Sequence, residues 1–400
     1  MRIDINKLYT LLFSLLFFSV PFIGNKFYAI PNAINIALGI LFPWVFNREK
    51  FLKAVKSPVL IWFTIFLTFV TLRSIIFDKI IEDISVLRKL FQILPLIILS
   101  LGLKKEYFKY LDTGIVYGTL ISVTYSLVNI LISIRETGEF IFDKGPLINQ
   151  TLTVQRLYLG LLCCISLIIV LDRFFKKYKK VNLVLAFIFS LFVFIIAARI
   201  AIVSTIIILI YYAFFRLQKT VSYFAILIII SSSIYVILNN NNISKRVLHV
   251  DDNFRTSYFQ KMKTHEPRFL IWKYSYEIFK ETNILIGNGF EQTEELLLNK
   301  YQGIVPAKKS DWFIQKRFNT HNQYLDILLS QGYIGLLIFM IFIFYLFKSS
   351  LFSHKLILLI ITISLYMFIY NNFHRQIGIF IFSFILISIL NNNHKKMKFL

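Results

Sequence analysis

Apolar runs long enough to cross a bilayer recur along almost the whole chain, and short charged connections part them. A spanning helix needs roughly 20 mostly apolar residues, with about 17 as the lower limit. Twelve segments approach or meet that standard: 8–24, 28–46, 58–77, 84–102, 112–134, 153–171, 182–198, 200–215, 221–238, 331–347, 355–370 and 376–391. A chain with 57% hydrophobic and 16% charged residues, 43 of them phenylalanine, has more apolar surface than a water-soluble domain buries. The expectation is an all-α polytopic membrane protein of about twelve transmembrane helices.

The seventh and eighth runs are separated only by Ala198–Arg199 and read equally as one long helix. The distribution of cations decides for two. Every second connection is rich in Lys and Arg: "NREKFLKAVK", "KKEYFK", "DRFFKKYKK", "RLQK", "KSSLFSHK" and the terminal "HKKMK". Cytoplasmic loops carry this excess. Twelve helices put all the basic loops and both termini on the cytoplasmic side, whereas eleven break the pattern after residue 200. The net charge of +23 therefore points to anionic lipid headgroups and membrane orientation, not to nucleic acid. Cys163 and Cys164 are adjacent within an apolar run, a poor arrangement for a disulfide or a metal site, and read as small core residues. The first apolar run has no small-x-small cleavage site and is followed at once by another, so it reads as a retained helix.

One connection is far longer than the others. Residues 239–322 form an 84-residue outward segment between helices 9 and 10, well beyond ordinary loop length. Within it "EPRFLIWKYSYEIFKE" places Phe269, Ile271, Trp272, Ile278 and Phe279 in a partly helical pattern. The chain thus divides into helices 1–9 (residues 1–238), a mostly helical cap (239–322), and helices 10–12 with a tail (323–400). No Walker motif offers ATP as an energy source.

Four outward features carry polar chemistry. Arg199, in "FIIAARIAIVS", lies among apolar residues, where an unpaired guanidinium is costly. It is either a snorkelling turn residue or an anion ligand, whose planar fork suits phosphate. Pro267 favours a helix start, and Arg268 and Trp272, four apart, then share a face. A structural Arg–Trp stack would give the same pattern. Gly287 and Gly289, in "ILIGNGF", read as a tight turn after that helix. His321 and Asn322, in "THNQYLDILLSQGYIG", stand where the cap returns to the apolar region. The bland alternative is that this pair caps a helix. Near a helix N-terminus an imidazole also tends to stay neutral, and a neutral imidazole accepts a proton as a general base does.

Taken in order, the outward Arg, "PRFLIW", "GNGF" and "HNQYLDILLSQGYIG" resemble the O-antigen ligase family, a superfamily shared with O-antigen polymerases and bacterial protein O-oligosaccharyltransferases. The likeness is concentrated in residues 190–345 and falls on Arg268, Trp272, Gly287, Gly289, His321, Asn322, Gly332 and Gly335. "AAR" at 197–199 departs from the Ser-Arg often found there. The resemblance implies a metal-independent, inverting glycosyltransferase in the bacterial cytoplasmic membrane, acting on its periplasmic face without a cofactor. The donor would be a glycan on undecaprenyl pyrophosphate, and the acceptor lipid A-core. His321 would be the catalytic base, with Arg199 and Arg268 binding the pyrophosphate. Asn322, Trp272, Arg156, Gly287 and Gly289 would contribute to substrate binding. A polymerase using a second lipid-linked glycan is the alternative within the family. A lipid-linked glycan flippase is the alternative outside it, although the chain lacks the two related halves such a transporter would show.

Overall fold

The computed structural model describes residues 4–23, 29–138, 145–239 and 266–391, with backbone alone at 145–147 and 236–239. The described residues are helical and contain no strand. In chain order the helices are α1 (Ile5–Ser19), α2 (Ala29–Val45), α3 (Arg48–Val55), α4 (Pro58–Ile76), α5 (Ile80–Phe91), α6 (Ile93–Ser100), α7 (Phe108–Thr137), α8 (Gly145–Thr151) and α9 (Arg156–Lys177). They continue with α10 (Lys180–Ile195), α11 (Arg199–Arg216), α12 (Lys219–Asn239), α13 (Pro267–Glu281), α14 (Phe290–Gln302), α15 (Ala307–Lys316), α16 (Gln323–Ser350), α17 (His354–Met367) and α18 (Gln376–Leu390).

Among the described residues six helices are long and apolar enough to cross a membrane, and a seventh span arises if α2 and α3, bent by 113°, count as one. Helices α10, α17 and α18 and the Lys219–Tyr235 part of α12 are apolar but shorter. The chain is a multi-pass helical membrane protein. The predicted separation of the seventh and eighth runs is present: α10 ends at Ile195, Ala197 turns the chain at φ +46°, and α11 starts at Arg199. The fourth predicted run, 84–102, differs. It is two short helices, α5 and α6, parted at Gln92. Pro95 supplies the reason, because its ring clashes with the carbonyl four residues earlier and it donates no hydrogen bond there. The predicted tenth run begins at 331, but helix α16 already starts at Gln323 and is broken at Gly332, where φ is +66° and ψ −170°.

Two compact units share these helices. The described residues within 1–46, 99–258 and 353–363 form the first. In it α9 is the central helix, packed by α7, α10 and α11 and buried along most of its length, with Cys163 and Cys164 fully enclosed and not bridged by a disulfide. The described residues within 47–98, 259–352 and 364–400 form the second. Here α4 lies along α16 through facing aromatic pairs, Phe63–Phe342 and Phe66–Phe339, with ring centroids 5.2 and 5.3 Å apart.

The second unit also contains the described part of the predicted cap. Residues 240–265, with His249 and His265, lie outside the described residues, as does the tail with His394. From 266 onward the cap is three helices, α13, α14 and α15, around a core of Ile271, Ile278, Leu297, Tyr301, Ile304, Phe313 and Leu329. Each such buried side chain contributes about 1.5–3 kcal/mol. Leu329 comes from α16, so the cap core is continuous with the helix that follows it. Pro267 stands at the first position of α13, as its missing amide donor favours.

Candidate active site

The eight predicted site residues divide between the units. Arg268, Trp272, Gly287, Gly289, His321 and Asn322 fall in the second, Arg156 and Arg199 in the first.

Asn322 is the N-cap of α16. Its Oδ1 accepts from the backbone N–H of Tyr324 and of Leu325, both at 3.0 Å, satisfying two of the donors a helix start leaves open. The bland reading of the His-Asn pair thus describes its second member. It does not describe the first. His321 sits one residue outside the helix with φ +46°, a left-handed backbone uncommon for a residue with a Cβ. Asn319 Oδ1 accepts from its backbone N–H at 3.1 Å. The ring is half-buried between Phe318 and Tyr370, at centroid distances of 5.5 and 5.8 Å, and its Nδ1 is buried with no hydrogen-bond partner among the described residues.

Burial and, after it, the positive charge of Arg268 push the His321 pKa down from 6.5 to about 3. The Glu266 carboxylate opposes the shift and Arg375 adds to it. The ring is therefore neutral across the physiological range. The helix terminus argued from sequence gives the same direction, but burial is the larger cause.

Arg268 pairs with Glu266 at 2.7 Å on the first turn of α13, within electrostatic range of the His321 ring. Trp272, one helical turn on, donates its indole N–H to the carbonyl of Thr320 at 3.1 Å, the residue immediately before His321. The two residues do share a helix face, and what Trp272 touches is the backbone that carries the histidine.

Gly287 and Gly289 form a joint with α16. Asn288 N–H donates to Leu329 O at 2.9 Å and Gly289 N–H to Ser330 O at 2.8 Å, while Tyr333 and Ile334 donate back to Ile284 and Leu285 at 2.9 and 3.1 Å. The break at Gly332 opens the helix for this exchange. A Cβ on Gly287 would come within 2.5 Å of Gly332 N, and one on Gly332 within 2.3 Å of the Leu285 backbone. The second predicted glycine of the following helix, Gly335, instead faces the Gln331 side chain and the Phe69 ring.

A buried ion pair underlies this joint, and sequence reasoning missed it. Arg73, near the end of α4, donates from Nη2 to Gly287 O at 3.0 Å and lies 3.5 Å from Asp83 Oδ2. Asp83 Oδ1 accepts from Phe290 and Glu291 N–H at 2.7 and 3.1 Å, so a carboxylate distant in sequence caps α14. The signal was a cation at the end of an apolar run with an acid ten residues on, which reads as an ordinary loop. Asp326 and His374 were missed as well: His374 Nε2 and Asp326 Oδ2 are 2.8 Å apart, on a side chain only 4% exposed for Asp326.

In the first unit Arg199 is half-buried at the first position of α11. Arg156 opens α9; its backbone N–H is bound by Asn149 Oδ1 at 3.1 Å, and its Nη1 is buried without a hydrogen-bond partner among the described residues. Among the described residues no cluster of three His, Cys, Asp or Glu side chains has the spacing to hold a metal ion.

Residues 183–340 match the family model described as O-antigen ligase. The matched segment runs from α10 into α16 and includes Arg199, Arg268, Trp272, the Gly287–Gly289 joint, His321 and Asn322. No curated protein matches the chain.

Proposed function

We propose that the chain, whose residues 183–340 match the O-antigen ligase family, is a glycosyltransferase that moves a glycan from undecaprenyl pyrophosphate to a hydroxyl of lipid A-core on the periplasmic face of the cytoplasmic membrane. The observation that carries this reading is His321: a neutral imidazole beside an arginine, at the mouth of a membrane helix, with a buried Nδ1 that has no hydrogen-bond partner among the described residues.

In the proposed reaction the acceptor oxygen attacks the anomeric carbon as the bond from that carbon to the phosphate oxygen breaks. Undecaprenyl pyrophosphate leaves with the electron pair, the acceptor proton passes to His321, and the anomeric configuration inverts. The donor is already activated, so no nucleotide is consumed. Arg268 would bind the pyrophosphate and stabilise the charge that grows on it as the bond breaks.

A pKa of about 3 makes the imidazole neutral but a weak base when the site is empty. Part of that depression comes from Arg268. A pyrophosphate on Arg268 would cancel its field at the ring and raise the basicity of His321 when the donor is in place. The base would then be strongest only in the loaded site.

The test is transfer by purified protein in liposomes, with undecaprenyl-pyrophosphate glycan supplied with and without lipid A-core, and with and without EDTA. Product on lipid A-core, unchanged by the chelator and lost in His321→Ala, is the expected result. Transfer retained by His321→Ala would remove the histidine from the role of base. A ladder of longer lipid-linked glycans formed without lipid A-core would replace the ligase reading with that of a polymerase.

A further inference from the structure

The backbone that presents His321 is tied down by polar groups from three other segments of the second unit, and one of these ties is ionic. Thr320 is fully buried; its carbonyl accepts from Trp272, and its hydroxyl accepts from Asn371 Nδ2 at 2.9 Å. That hydroxyl also lies 3.3 Å from Asp326 Oδ1. The other oxygen of Asp326 faces His374 Nε2 at 2.8 Å and Gln323 Nε2 at 3.4 Å. Gln323 in turn accepts from the backbone N–H of Phe373 at 3.0 Å. Segment 371–374 and the first turn of α16 are therefore stitched through Asp326. The turn so held has a left-handed residue, His321, at its apex, a conformation that persists only where the surroundings enforce it.

We propose that His374 and Asp326 are a positioning pair for His321, an ionic latch that fixes the 319–323 turn and so aims the imidazole at the acceptor. The inference rests on the reading of His321 as the base. Neither latch residue touches the reacting atoms in it; both act through Thr320 and the helix start.

The latch has a direction in pH. His374 faces Asp326 on α16, Lys89 on α5 and Glu294 on α14, with the Phe290 ring edge-on and Arg375 next to it in sequence. Burial and the Lys89 charge oppose its protonation, but Asp326, by charge and by hydrogen bond, outweighs them and holds its pKa above the ordinary 6.5. A raised histidine pKa means the interaction is complete below the unfolded value near 6.5 and is lost as pH rises through the folded value.

The experiment compares wild type, His374→Gln, Asp326→Asn and His321→Ala in the liposome transfer assay between pH 5.5 and 9, with thermal unfolding of each over the same range. An ångström of misplacement at a reacting group costs on the order of 100-fold. We expect kcat of His374→Gln to fall roughly 10- to 100-fold with KM for the donor little changed. The wild-type rate should decline on the alkaline side, and that limb should be absent from His374→Gln. Asp326→Asn should behave alike, and it serves if His374→Gln does not fold. A His374→Gln protein with wild-type kcat per folded molecule and a wild-type pH profile overturns the proposal, even if it melts lower, because the pair is then structural alone. Equal activity of wild type and His321→Ala overturns instead the reading of His321 on which it rests, and the latch falls with it.

Discussion

Replacing Gly287 by alanine should loosen the joint between the cap and α16 without touching any charged group. Gly287 has φ +66°, and an added Cβ would lie 2.5 Å from Gly332 N and from the Ser330 carbonyl carbon, both backbone atoms that cannot rotate away. The left-handed conformation alone costs an L-residue about 1–2 kcal/mol. Relieving the clash means separating the two segments and stretching their four exchanged hydrogen bonds, each with a net contribution of about 0.5–1.5 kcal/mol. Losing half of them brings the total to about 2–5 kcal/mol. For a unit of this size 1 kcal/mol corresponds to roughly 2–4 °C in Tm. We expect Gly287→Ala to melt roughly 5–15 °C below wild type in detergent. Gly39→Ala is the control: in α2, with nothing within 4 Å of an added Cβ, it should melt at or slightly above wild type. The assay is tryptophan fluorescence or a thiol-reactive dye during heating, the latter reading exposure of Cys163 and Cys164. A Gly287→Ala protein that melts within about 2 °C of wild type would refute the steric argument. If that protein had also lost transfer, Gly287 would belong to the substrate site and not to the scaffold.

Other outcomes follow from the same geometry. Asn322→Ala should lose about 1 kcal/mol through the missing cap, and Asn322→Asp should retain it, both by thermal melting. Arg73→Met leaves Asp83 buried without its cation and should cost about 3–5 kcal/mol, read as a lower Tm; a stability unchanged from wild type would mean that the pair carries no weight. His321 is more readily protonated unfolded (pKa 6.5) than folded (about 3), so its contribution to stability is complete above about pH 6.5 and is lost as pH falls toward 3. Wild type should accordingly lose Tm on acidification more steeply than His321→Asn, and parallel curves would contradict the burial of that ring.

The membrane character was legible because length and hydropathy act locally: each run either has enough apolar residues or lacks them. The separation of α10 from α11 was legible from charge, since a single long helix there would interrupt the alternation of basic and less basic connections. The break in run 84–102 was present in the sequence as Pro95, but the length of the apolar stretch masked it. The candidate site was half legible. His321 and Asn322 stand together in sequence at a change of polarity, which any pass along the chain meets. Arg73 and Asp83 reach Gly287 and α14 across more than 200 positions, and no local pattern announces such a contact.

The His-Asn pair shows why capping and catalysis are not rival explanations of one motif. A helix start needs an acceptor at one defined position, and Asn322 fills it with both bonds from a single oxygen. That leaves the preceding residue outside the helix, where its conformation is decided by tertiary contacts. Trp272 and Asn371 hold Thr320, Asn319 holds the His321 amide, and the residue between is driven to φ +46°. A histidine required only as a cap would have no use for that strain, nor for a buried nitrogen without a partner among the described residues. The cost of the left-handed backbone, about 1–2 kcal/mol, has a testable consequence. His321→Gly should melt at or above wild type once the loss of ring packing is discounted by comparison with His321→Ala, which retains the Cβ and its strain. Should the alanine variant be the more stable of the two, the turn is not strained, and the case for a functionally enforced conformation at His321 loses its physical basis.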